Sequence, residues 1–259
     1  MNIFRFNIGK IIFAGTLIAF TSLIAVMPKY SFAQEREEPQ LVPLPEPRSP
    51  YTEDRVNGIG FKLMLNNYGF GLGGEYRRAL NATTEFFLNA NISNLKDESE
   101  QTLQTWFGQQ IIPNKYNRVL VFPVMAGLKQ RLFPSQLSDN FRAFLQGGVG
   151  VAPAFVYPYF DDARGLGYRD PARQLPYDVF QGWSDGYFTT GMTGELAIGV
   201  DFGADFSQLQ SVRFGYRFYY YPDSIQIMEP NSYIPGLEGF DAQSFFISPE
   251  ITIVLGSNW

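Results

Sequence analysis

The chain has 259 residues, 17% of them aromatic and 17% charged, with 25 Gly, 17 Pro and neither Cys nor His. Without Cys there is no disulfide framework, no thiolate site and no lipid anchor on a leading Cys; without His there is no Ser-His-Asp triad, His–carboxylate dyad or His-ligated zinc. A formal charge of -5, with no basic cluster longer than Arg77-Arg78, argues against a nucleic-acid partner.

Met1 to Ala33 reads as a secretory signal peptide. Arg5 and Lys10 precede an apolar run from Ile11 to Val26, and the polar end Ser31-Phe32-Ala33 carries small residues where a signal peptidase needs them. The alternative is an uncleaved anchor, for which the apolar run falls short of the roughly 20 residues a span requires. Cleavage would remove three bases and no acid, leaving 17 bases against 25 acids, a net charge of -8. Residues 34–54 carry Pro39, Pro43, Pro45, Pro47 and Pro50, a spacing that favours an extended polyproline linker, either a tether or a docking segment for a periplasmic partner.

From residue 55 onward, apolar residues recur at every second position, which predicts strands. The expected strands cover 55–66, 69–79, 82–93, 117–133, 141–156, 187–204, 209–221 and 243–256. One face is aliphatic and aromatic, as in Ile59, Phe61, Leu63 and Leu65, while the other collects glycine, hydroxyls and charge. That is inverted relative to a soluble barrel. The fold expected is an all-β, eight-stranded antiparallel up-and-down transmembrane β-barrel over residues 55–259, with oil outside and charge inside. The inward set holds Lys62, Arg77, Lys129, Arg131, Arg142, Arg213 and Arg217 with Glu75, Glu85, Glu195, Asp201 and Glu250. Unpaired buried charge is costly, so a lumen-filling salt-bridge network is expected, with Glu195, Asp201 and Glu250 paired to Arg213 and Arg217.

Loop lengths agree with that architecture. Connections around Asn81, 134–140 and 205–208 are short, whereas 94–116, 157–186 and 222–242 are long, as one-sided insertion requires; Asn67-Tyr68 is the exception. An extra hairpin within 94–116 or 157–187 would give ten strands instead. Tyr68, Tyr116, Tyr157, Tyr159, Tyr187, Tyr220 and Tyr221 at the loop end, with Phe133, Phe141, Phe202 and Trp259 at the turn end, suggest aromatic girdles at the headgroup boundary.

The stretch Phe122-Pro123-Val124-Met125-Ala126-Gly127-Leu128-Lys129, then Phe141-Arg142-Ala143-Phe144-Leu145-Gln146-Gly147-Gly148-Val149-Gly150-Val151, resembles the bacterial outer-membrane β-barrel domain family of small OmpA/OmpW-like or PorT-like barrels. Ala143-Phe144 stands where that family usually has Pro-Tyr. Ile251, Ile253, Leu255 and the terminal Trp259 are similar to the signal read by the outer-membrane assembly machinery, with Gly256-Ser257-Asn258 placed before the aromatic. The resemblance implies an outer-membrane location, with membrane lipid, lipopolysaccharide and that machinery as partners. The enzymes known on this architecture, namely the omptin proteases, the phospholipase and the lipid A palmitoyltransferase and deacylase, rely on a histidine that is missing here.

Two other features have bland readings. Gly69-Phe70-Gly71-Leu72-Gly73-Gly74 resembles a phosphate-cradling loop, but small inward residues that relieve crowding explain it without a following helix. Asp161, Asp162, Asp170, Asp178 and Asp185 lie in one long loop without the calcium-loop pattern, alongside Arg164, Arg169 and Arg173. No metal or other cofactor is expected. The function expected is a non-catalytic envelope protein acting in structure or partner binding through its outer loops. A narrow conduit for small, hydrophobic molecules and a soluble periplasmic ligand-binding barrel are the alternatives.

Overall fold

The computed structural model describes residues 48–104, 110–171, 173–203 and 206–259. The expected leader and the linker up to residue 47 lie outside the described residues. Eight strands build the wall: β1 (Asn57–Asn66), β2 (Gly69–Ala79), β3 (Thr84–Leu95), β4 in two halves (Asn117–Val121 and Val124–Arg131), β5 (Phe141–Pro158), β6 (Tyr187–Phe202), β7 (Gln208–Ile225) and β8 (Gln243–Asn258). Each pairs antiparallel with its sequence neighbours. β8 returns to β1 from Gly58↔Asn258 to Asn66↔Glu250, so the barrel is closed and has no free edge.

The ten-strand alternative is not adopted, because the extra pairing does not join the wall. Among the described residues, Leu103–Gln104 pairs only with Gln110–Ile111, apart from the wall, and the long loop before β6 contributes a single 3-10 turn, Trp183–Asp185. Strand β4 departs from the continuous strand expected. Its ladder breaks at Phe122-Pro123 and resumes in the same register, since Ser93↔Val121 and Ala90↔Val124 belong to one diagonal. Pro123 faces β3 and Pro153 faces β4, and neither has an N–H to give. The carbonyls that remain still serve: Asn91 N–H donates to Pro123 O, and Phe122 N–H donates to Pro153 O.

Alternation is strict along the wall. Ile59, Phe61, Leu88, Leu196, Phe214 and Ile251 are exposed, while Lys62, Glu75, Arg77, Arg213 and Arg217 are buried. A soluble carrier needs the opposite arrangement. At the turn end, the Asn81 carboxamide accepts the N–H groups of Thr83 and Thr84, which reverses the chain between β2 and β3. At the other end, three long loops knit together. Arg169 N–H donates to Glu229 Oε1 (3.0 Å), Asn231 N–H donates to Gly167 O (3.2 Å), and Lys115 bridges Met228. Asp162 anchors its loop by accepting N–H from Leu166 and Gly167 and the hydroxyl of Tyr116.

The end of the linker is part of the folded unit. Residues 48–54 form a turn in which Ser49 and Thr52 bond each other, and Ser49 is buried at the turn-side mouth.

Candidate functional site

Every inward chain points into one narrow lumen, so the site is that lumen, built up from the turn end. At the mouth, Arg131 reaches Asp139 (3.0 Å) and donates to the carbonyl of Arg48 (2.6 Å). Arg142 donates to the carbonyls of Asp139 and Gly203, and its guanidinium lies 4.7 Å from the centre of the Phe206 ring. These two arginines therefore hold the mouth rather than the acids deeper in.

One level up, Lys129 contacts both Asp201 and Glu85 and sits over the Phe144 ring. Arg77 meets Glu75 at 2.6 Å, Asp201 at 3.1 Å and Glu85 at 3.9 Å. Next, Arg213 grips Glu75 (2.5 Å) and Gln146 (2.7 Å), and Gln146 passes a hydrogen bond to Glu195 (2.5 Å). At the centre, Arg217 holds Glu250 with two nitrogens (2.8 and 2.6 Å) and Glu195 with one (2.7 Å), while Lys62 stands 3.7 Å from Glu195. Thr252 adds a hydroxyl to Glu250. A guanidinium fork suits this geometry because its donors are fixed and planar.

The pairing differs from the sequence expectation. Glu195 and Glu250 do meet Arg217, but Asp201 goes to Lys129 and Arg77, and Arg213 goes to Glu75. Partners across a barrel depend on the stagger between strands, which alternation does not encode. In the central network, Lys62, Arg77, Lys129, Arg213 and Arg217 face Glu75, Glu85, Glu195, Asp201 and Glu250. The two sets are equal in number, so the formal charge cancels.

Two uncharged features of this lumen gave no signal in the charge pattern. Phe87 lies along the inner wall over the two neighbouring strands, which are pared to glycine there: a Cβ on Gly127 or on Gly148 would come within 2.6 Å of its ring. Above Arg217 the interior becomes apolar. Tyr68, Leu95, Val119, Val121, Ala152, Ala154, Val156, Tyr219, Tyr221, Ile225, Ile227, Met228 and Phe246 form one buried cluster. Tyr68 and Tyr221, expected in the girdle, thus lie inside. Tyr157 and Tyr159 are covered as well, leaving Tyr187 and Tyr220 exposed at the loop end and Phe133, Phe141, Phe202 and Trp259 at the other.

The remaining sequence candidates fall elsewhere. Ile251 and Leu255 are exposed on the outer face with Ile253 half-exposed beside them, and Trp259 exchanges both backbone hydrogen bonds with Asn57 at the β1–β8 seam. The five loop aspartates do not gather: among the described residues no group of three or more metal-ligating side chains comes together.

A closed antiparallel barrel with hydrocarbon side chains outward and paired ions inward is a transmembrane β-barrel of the outer-membrane type. No family model and no curated protein matches the chain. Among solved structures it is similar to Neisserial surface protein A, with 10% identity over 78% of this chain and 94% of that one, at a TM-score of 0.40. It is also similar to Ail, the attachment invasion locus protein of Yersinia pestis, in complex with the heparin analogue sucrose octasulfate (9% identity, 79% and 97% covered, TM-score 0.37). A third is the outer membrane protein OprG from Pseudomonas aeruginosa (11% identity, 78% and 93% covered, TM-score 0.35). The class of this chain follows from its own barrel geometry.

Proposed function

We propose that this protein is a non-catalytic outer-membrane barrel whose lumen is a structural plug and whose interlocked outer loops are the working surface. The observation that carries the reading is the filling of the lumen: mouth arginines, a neutral ion network with the Phe87 ring packed beside it, and then an apolar cluster under joined loops. An ion entering such a lumen would have to break bonds that nothing replaces. The absence of histidine from the chain removes the usual acid–base group and supports the non-catalytic part. In this reading the charged set, Lys62 through Glu250, holds the wall in shape, and the outward Ile251, Ile253, Leu255 and Trp259 serve recognition by the assembly machinery.

Planar-bilayer recording tests the plug. The purified barrel is expected to give no steady conductance above the bare membrane, and Arg217→Ala with Phe87→Ala is expected to open measurable, ion-carrying events. Steady conductance in the unaltered protein, or uptake of small apolar solutes into vesicles, would favour the conduit instead.

A further inference from the structure

The apolar wall is not equally tall all the way round. On β8 the outward apolar run extends from Phe245 to Leu255, about 25 Å along the barrel axis at ~3.3 Å per residue and ~40° of tilt. On β5 the outward residues Phe141, Ala143, Leu145, Val149, Val151 and Phe155 cover on the order of 35 Å by the same measure, and β6 matches them from Phe202 up to Phe188. Tyr220 of β7 pairs with both Met192 and Phe245, so the β8 run stops on the row of Met192, four residues short of Phe188. The excess of about 10 Å therefore lies at the loop end, on one side. On the neighbouring strand β4 the corresponding outward position is already Arg118, paired with Tyr157.

The long loop before β6 adds to that excess. Trp183 packs its ring 6.0 Å from Phe155 and 6.1 Å from Tyr157, Phe180 stacks edge-on to Trp183 at 5.1 Å, and Phe155 lies 4.9 Å from Phe188. Five aromatic rings form one patch on the outer wall, continuous with Val151 and Met192 below. The patch stays open to the surroundings, with Phe180 73% and Phe188 70% exposed.

We propose that this aromatic shelf is a docking site for acyl chains of the outer leaflet, so that the rings of Phe180, Trp183 and Phe188 are part of the lipid-contacting surface. Its continuity with the hydrocarbon-facing wall decides the occupant: chains that cover Val149 and Val151 need only extend past their usual depth to cover Phe155 and Phe180. Tryptophan and tyrosine rings at its upper rim suit the boundary between chain and headgroup. A local thickening of the leaflet, or a tilt toward β5–β6, follows from matching the taller wall.

The test is fluorescence of the full chain refolded into vesicles, with Trp106→Phe and Trp259→Phe leaving Trp183 as reporter. Acyl chains brominated near the headgroup are expected to quench Trp183 by about twofold or more, chains brominated near their ends much less, and aqueous iodide little. Because the chain has no Cys, Phe180→Cys carrying a nitroxide gives a second reading in an otherwise unaltered protein. Collisions with oxygen should exceed those with a water-soluble nickel chelate. Trp183 open to iodide and indifferent to brominated chains would overturn the proposal. So would shielding from both quenchers that vanishes on dilution in lipid, because a second copy would then be the cover.

Discussion

Arg217 is the residue on which the most interior contacts converge, and it sits between two carboxylates that would otherwise face each other. Replacing it by methionine leaves Glu195 and Glu250 with Lys62 as the remaining nearby cation, and breaking a buried pair from one side costs about 3–5 kcal/mol. Arg217→Met is expected to lower the unfolding free energy of the barrel in vesicles, read from the urea midpoint and slope, by that amount. Adding Glu250→Gln should recover a good part of the loss, because charge balance returns. The inward position of all these residues was legible from alternation alone. Their partners were not, as Asp201 shows: it stands on β6 but meets Lys129 of β4 and Arg77 of β2, a choice made by strand stagger. Gln146 was readable on the inward row between Phe144 and Gly148, but its lack of charge kept it out of the expected ion network.

At the scale of elements, β4 and the loops carry the information that periodicity hid. Pro123 and Pro153 each remove a ladder donor, on opposite sides of β4. Pro123→Val and Pro153→Val should each restore one backbone hydrogen bond and raise stability by about 0.5–1.5 kcal/mol in the same urea assay. A fall in midpoint would mean that the local shape of the wall depends on the prolines. Tyr68 and Tyr221 were misplaced in the girdle because at the loop end both faces of a strand are apolar, one against lipid and one against the loop-covered interior. Alternation loses its meaning there.

The loops also titrate. Burial raises the Glu229 carboxyl above its ordinary range, while the Arg169 N–H and side chain pull it back. A carboxyl whose folded value is raised favours the docked loops most at low pH and loses that contribution as pH climbs through the folded value. Amide exchange at Arg169 and Asn231, corrected for intrinsic rate, should therefore slow on going from neutral pH to pH ~4, and Glu229→Gln should abolish the dependence. Burial lowers Lys115, against the pull of Glu100. That group acts in the opposite direction and toward the alkaline side, so it does not mask the first.

For the whole molecule, the eight strands, their antiparallel order and the inversion of oil and charge were all present in the spacing of residues 55–259. Strand limits moved by a few residues, most of all where β5 and β7 run on past their expected ends to Pro158 and Ile225. What the spacing could not contain was the plug, which arises when inward rows from opposite walls meet. A closed wall filled in this way should resist dodecyl sulfate at room temperature. Unboiled samples are expected to migrate ahead of boiled ones on gels, and Arg217→Met should lower the temperature at which the bands merge.

The seam between Asn57 and Trp259 has a consequence for how the hoop is raised. Every other stave zips to the one made just before it, whereas Gly58 and Asn258 lie about 200 residues apart along the chain. So distant a contact carries the greatest closure entropy and forms slowly. Until the last stave arrives, the first holds out a row of unanswered amides and carbonyls, and whatever shepherds this chain into the bilayer has to keep that row occupied while it waits.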